Sequence, residues 1–116
     1  ALSRANAHKQ SIAIDFIEGV APLEIIGTFD AIFVGGTGGQ VAQLLPWLEK
    51  IANPGCTVVM TFVTIEQFTQ TLHQLKTQMP NTEVEIFNLQ VQVAMPLGPF
   101  THFSPQNPTW IVHFIF

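Results

Sequence analysis

Hydrophobic and polar positions change period several times along the chain. Ser11 to Glu18 alternates and breaks at Gly19, the signature of a strand closed by a turn. Thr28 to Val34 predicts a second strand, which ends abruptly in Gly35-Gly36-Thr37-Gly38-Gly39. From Gln40 to Ala52 the apolar residues Val41, Leu44, Leu45 and Leu48 recur at helical spacing. Pro46 falls inside that stretch and predicts a kink or a later start. Asn53-Pro54-Gly55 is a stop signal. Cys56 to Val63 is a nearly continuous apolar run, expected of a strand buried on both faces. Thr64 to Met79 places Ile65, Phe68, Leu72 and Leu75 on one helical face, with Pro80-Asn81 as its stop. Glu83 to Val93 alternates, which predicts one long half-buried strand. A loop rich in Pro and Gly is expected from Met95 to Pro108, and a last strand from Thr109 to Phe116. The opening Ala1 to Gln10 favours helix but has no capping signal at its start. It reads as the last turns of a helix that begins upstream.

Strands alternating with helices predict an α/β layered sheet with parallel connections. The last two strands have no helix between them and are expected to be antiparallel. One domain over residues 1–116 accommodates all eight elements.

Composition narrows the function. The chain is 47% hydrophobic, which excludes a disordered tail, yet only 10% charged against a usual ~25%. So bare a surface predicts coverage by another subunit or by further chain. The net charge is −4, and Arg4, Lys9, Lys50 and Lys76 are the only cations besides the histidines. No basic patch is available for phosphates, so a nucleic-acid partner is not expected. No apolar run approaches the ~20 residues of a membrane helix. Cys56 stands alone, which leaves no disulfide framework and fits a cytoplasmic setting.

Three segments are candidates for chemistry. Gly35 to Gly39 follows a strand and precedes a helix, at the edge of an α/β sheet where ligands bind. Its glycines let backbone approach a ligand, and the helix N-terminus offers free N–H groups. It carries neither the Gly-Lys-Ser/Thr of a P-loop nor a spaced G-x-G-x-x-G, so a plain βα turn is the alternative. Glu18-Gly19-Val20-Ala21-Pro22 closes the first strand at the same edge, either admitting a flat ring or simply turning. Met95 to Pro108 is too long for a simple hairpin. With four prolines and two phenylalanines it forms either one wall of a site or a subunit contact. His8, His73, His102 and His113 share no metal-ligand spacing, and only His102 has a plausible site role. His113 is expected to be structural. Asp30 is a possible acid, though an Asp at a strand edge is often a structural hydrogen-bond partner.

Asn6-Ala7-His8, then Phe16 to Pro22, then Phe29-Asp30-Ala31-Ile32-Phe33-Val34 with the glycine run resemble the decarboxylating precorrin methyltransferases of cobalamin biosynthesis. Asn53-Pro54-Gly55 and the block from Pro96-Leu97-Gly98 to Asn107-Pro108 extend the resemblance over essentially the whole chain. It implies the Rossmann-like S-adenosylmethionine-dependent methyltransferase fold, with strand order 3-2-1-4-5-7-6 and strand 7 antiparallel. The chain corresponds to strands 3 to 7 of that fold. The counterparts of strand 1, its glycine loop and strand 2 with its acid are not found, so the domain is expected to be incomplete at its N-terminus.

By the same resemblance Gly19, Val20, Ala21, Gly35 and Gly36 would contact S-adenosylmethionine. Thr37, Gly38, Gly39, Pro96, Leu97, Gly98 and His102 would contact a precorrin tetrapyrrole. Val20 stands where a polar residue is common, and Val93 lies near where an Arg is usual, which weakens a link to substrate carboxylates. The implied activity is methylation of C15 with loss of carbon dioxide from the C12 acetate, in a homo-oligomer, tetrameric by family. The rivals are a methyltransferase of the same fold acting on another substrate, and a non-catalytic fragment that binds a partner subunit. The chain by itself is expected to be inactive and to bind S-adenosylhomocysteine poorly.

Overall fold

The computed structural model describes residues 2–116; Ala1, the first residue of the expected opening helix, lies outside the described residues. The elements are α1 (Leu2–Lys9), β1 (Phe29–Val34), α2 (Val41–Ile51), β2 (Ala52–Phe62), α3 (Ile65–Gln78), β3 (Val84–Leu89), β4 (Gln92–Leu97), β5 (Phe100–Pro105) and β6 (Thr109–Ile115). Four strands form one sheet in the order β1-β2-β6-β3. β1 and β2 run parallel, and β6 runs antiparallel to both β2 and β3. This is the 4-5-7-6 side of the expected order, with its reversed strand in place.

The core lies on one face of this sheet. Cys56, Val58, Met60 and Phe62 of β2, with Val112 and Phe114 of β6, are buried against Val41, Leu44, Leu45, Leu48 and Ile51 of α2 and Leu75 of α3. The intervening residues of β2, among them Thr57, Val59 and Thr61, are only half-buried. The expectation that this strand is buried on both faces is therefore corrected. α2 and α3 contact each other and share one layer, so the apolar run has a single covered side. In α3 the expected face is also modified: Ile65 is exposed, and Thr71 is buried in addition to Leu75.

Pro46 does not end α2, which runs through it. Proline lacks the N–H that would bond the carbonyl four residues earlier, here Ala42. The side chain of Gln78 on α3 donates from Nε2 to that Ala42 oxygen at 3.2 Å. The defect in one helix is thus closed by the other, and the two are tied where they pack.

Two further expectations are corrected. Ser11 to Glu18 forms no strand: it is extended, mostly exposed and pairs with nothing among the described residues. A strand is defined by its neighbour, and the local pattern cannot supply one. The Met95–Pro108 segment is not a loop. β4 and β5 pair antiparallel from Gln92↔Pro105 to Leu97↔Phe100 around a two-residue turn at Gly98-Pro99. Gly98 takes φ +58°, the left-handed geometry that a tight primed turn needs before a proline fixed at negative φ.

The long strand expected from Glu83 to Val93 is likewise divided at Gln90-Val91. β3–β4 and β5–β6 together form one long hairpin with a change of register: Leu89 faces Thr109, but Gln92 faces Pro105. The returning limb therefore carries one extra residue, a bulge between Pro105 and Pro108. The Gln106 N–H bonds the Val91 carbonyl at 2.8 Å and closes the base of the arm. Prolines cannot donate to the ladder, which interrupts it there. The arm extends the molecule to 55 Å in its longest dimension. Its radius of gyration is 17.5 Å, against ~13 Å for a compact chain of this length.

Candidate functional site

At the carboxyl end of β1 the chain leaves the sheet as Gly35-Gly36-Thr37-Gly38-Gly39 and enters α2 at Val41. Gly38 and Gly39 take φ +60° and +77°, so two successive left-handed residues make the turn. L side chains avoid that region, which is why this position calls for glycine. Thr37 is buried, and its hydroxyl accepts the Gly39 N–H at 3.3 Å, holding the turn from inside.

The segment Gly19-Val20-Ala21 comes to the same place. Its chain has no sheet partner, and it is held by a hydrogen bond from the Trp47 indole Nε1 to the Leu23 carbonyl at 2.8 Å. Ala21 packs on the core. Between this segment and the glycine turn lies a cavity of about 450 Å³, in the range of small-molecule sites. Gly19, Val20, Ala21, Phe33, Gly35, Gly36, Thr37 and Gly38 line it, with Leu44, Trp47 and Leu48 as the floor from α2. The two short segments that the sequence singled out thus form the opposite walls of one cavity. Phe33, Leu44, Trp47 and Leu48 are lining residues that sequence reasoning did not assign to the site: within a strand and a helix they read as packing positions.

Among the described residues no Asp, Glu, Lys, Arg, His or Cys lines the cavity. Its polar equipment is backbone, the Thr37 hydroxyl and an indole N–H already engaged. To a ligand it offers backbone groups and apolar side chains. The titratable candidates lie elsewhere. Asp30 sits at the opposite end of β1, where it accepts a hydrogen bond from Asn53 Nδ2 at 2.8 Å, the structural role of a strand-edge Asp. Glu18 is exposed and 3.8 Å from Arg4. Burial, and secondarily the Asp30 carboxylate, push the Cys56 thiol up from its usual range. His8, His73 and His102 are exposed. His113 is half-buried opposite Glu85, with Nδ1 3.7 Å from Oε2. Among the described residues no three of these groups are placed to share a metal ion, and no helix is long and apolar enough to cross a membrane.

Pro96, Leu97, Gly98 and His102 lie on the β4–β5 arm and do not line the cavity. The arm leaves the same end of the sheet as the glycine turn, but from its far side, with β2 and β6 between β1 and β3. Gly39 sits just outside the cavity lining, at the start of α2.

A sheet in the order β1-β2-β6-β3 with β6 reversed, and an apolar cavity at a glycine turn, define the S-adenosylmethionine-dependent methyltransferase fold. The solved precorrin-6y C5,15-methyltransferase of Geobacter metallireducens superposes with a TM-score of 0.84 at 22% identity, over 97% of this chain and 60% of that one. The C-terminal domain of precorrin-6Y C5,15-methyltransferase from Rhodobacter capsulatus gives 0.74 at 25% identity, over 99% and 60%.

The model of the precorrin methyltransferase domain matches residues 1–115, and the chain belongs to that family. A curated relative, the cobalt-precorrin-6B C(15)-methyltransferase (decarboxylating) of Salmonella typhimurium, is 34% identical over 99 residues, 85% of this chain and 51% of its own length. The chain spans about half the length of the curated relatives it matches.

Proposed function

We propose that this chain is the part of a precorrin C15-methyltransferase that holds the adenine end of S-adenosylmethionine and faces the tetrapyrrole. The observation that carries the reading is the meeting of Gly19–Ala21 and Gly35–Gly38 around one uncharged cavity. A purine ring fits that cavity. It is flat, it needs apolar contact from Val20, Leu44 and Leu48, and its edge nitrogens need backbone partners rather than charged ones. When bound, S-adenosylmethionine supplies an electrophilic methyl group. The chain's part is to orient: Thr37 fixes the glycine turn, and Trp47 fixes the opposite wall. Alignment of an in-line displacement accounts for most of the catalysis in such a site.

C15 of the precorrin accepts the methyl group. The C12 acetate loses its carboxylate as carbon dioxide, and the bonding pair it leaves is taken up by the conjugated macrocycle. The substrate is its own electron sink, so a cavity without titratable side chains suits the reaction. Thr37, Gly38, Gly39 and the arm residues Pro96, Leu97, Gly98 and His102 are the proposed substrate side. Val93 lies near where the family usually has an Arg, and a valine there gives substrate carboxylates a weaker hold.

The test is incubation of the protein that contains this chain with methyl-labelled S-adenosylmethionine and a precorrin-6B substrate. A product with one labelled C-methyl and one carboxyl fewer is expected. A label on oxygen or nitrogen, or methylation with every carboxyl retained, would sink the assignment. Because no acid lines the cavity to grip ribose hydroxyls, the 116-residue chain alone is expected to bind S-adenosylhomocysteine weakly or not at all. A micromolar dissociation constant by calorimetry would contradict that expectation.

A further inference from the structure

A second cavity adjoins the first at Trp47. It measures about 260 Å³, and Leu23, Glu24, Ile25, Lys50 and Ile51 line it with Trp47. Among the described residues Trp47 is the one residue common to both linings. Helix geometry explains the sharing. Leu44, Trp47 and Leu48 follow one another at three and four residues and line the first cavity. Trp47, Lys50 and Ile51 line the second, again three and four residues apart. Trp47 stands where these two faces of α2 adjoin.

The indole is fastened in that position. It is half-buried, and its Nε1 donates to the Leu23 carbonyl at 2.8 Å. Leu23 itself lines the second cavity. The bond therefore ties the ring to the far side of the boundary and fixes its orientation. A rigid ring held between two spaces limits what either can admit, and a clash of this kind is how a site rejects a larger relative of its ligand.

The chemistry of the ligand gives the boundary a direction. In adenosine the ribose is attached at N9, so the sugar takes the open side of the cavity. The six-membered edge, with its exocyclic N6 amine, is the end that enters first. It meets the floor made by Leu44, Trp47 and Leu48.

We propose that Trp47 is a specificity-determining residue: it partitions the two cavities, sets the depth of the base site and excludes cofactors that carry a substituent on N6. The second cavity is the space such a substituent would occupy if the ring were shorter. The inference rests on the adenine reading of the first cavity.

The test compares S-adenosylmethionine with its N6-benzyl analogue in the protein that contains this chain. Wild type should use the analogue at least about 100-fold less efficiently, by kcat/KM. Trp47→Leu shortens the side chain and keeps a good helix former in α2. It should cut the discrimination at least about 10-fold, with kcat/KM for the analogue rising in absolute terms. A merely structural role would lower kcat/KM for both cofactors. Trp47→Phe keeps a ring but loses the N–H, and should discriminate better than Trp47→Leu. Wild type that uses both cofactors alike, or a Trp47→Leu variant with undiminished discrimination, overturns the inference alone. Wild type that does not use S-adenosylmethionine at all overturns the adenine reading and this inference with it. Should Trp47→Leu not fold, wild type decides with N6-methyl, N6-propyl and N6-benzyl analogues. Use that falls steeply as the substituent lengthens supports the partition, and equal use of all three rejects it.

Discussion

β6 and the β4–β5 arm are stretches of one hairpin, equally free of charge and equally alternating, yet their fates are opposite. Val112 and Phe114 are sealed beneath α2 and α3. Met95 and Phe100 stand in solvent. Alternation reports that a strand has an apolar face, and says nothing about which body covers it. The helices reach only as far as the sheet, so the same pattern yields a core at one end and a bare face at the other.

The comparison is broken most severely at Phe114. Phe114→Ala should cost about 3–5 kcal/mol in denaturant unfolding, while Phe100→Ala at high dilution should stay within about 0.5 kcal/mol. Equal losses would mean that the arm belongs to the folding core. Gly38→Ala tests the turn rather than the packing. No atom lies within 4 Å of the added methyl, so its expected cost of about 1–2 kcal/mol comes from left-handed φ alone. A neutral result would show that the turn relaxes.

Thr71 sits in the covered layer with a buried hydroxyl that has no hydrogen-bond partner among the described residues. Thr71→Val removes the unsatisfied group at nearly constant shape, and should raise stability by about 1 kcal/mol. A loss would reveal a partner for that hydroxyl. The smallest effect is expected from Gln78→Ala, about 0.5 kcal/mol, because the Ala42 carbonyl it releases is open to water. A loss several times larger would make the contact between α2 and α3 more dependent on this single bond than its exposure suggests.

Much of the parallel half was legible in the residues. The faces of α2 and the glycine turn are local signals, and local physics realises them; α2 does end at Ile51, but Asn53-Pro54-Gly55 belong to β2 rather than to a turn before it. The cavity was legible as two separate turns; their meeting was not, since it depends on Trp47 reaching the Leu23 carbonyl across the fold. Ser11–Glu18 misled because alternation without a neighbour leaves an extended chain. The arm misled for another reason. Four prolines and a length of fourteen residues resemble a loop, and the pairing that makes it a ribbon shows only in the register.

That register has a consequence of its own. Residues directly opposite share a face, so one extra residue on the returning limb is a change of phase. It sets Phe100 and His102, rather than Thr101 and Phe103, on the side of Met95 and Leu97. Deleting a single position between Gln106 and Pro108 would let the β6 register run straight into the arm with Gln92 still facing Pro105, so the cross-strand pairs of β4 and β5 would stay and only the bulge would go. The joint between arm and sheet is therefore written as a count of residues rather than as their identity. Two sequences with the same arm and bulges of different length would keep the same faces and bend the arm away from the sheet at different angles.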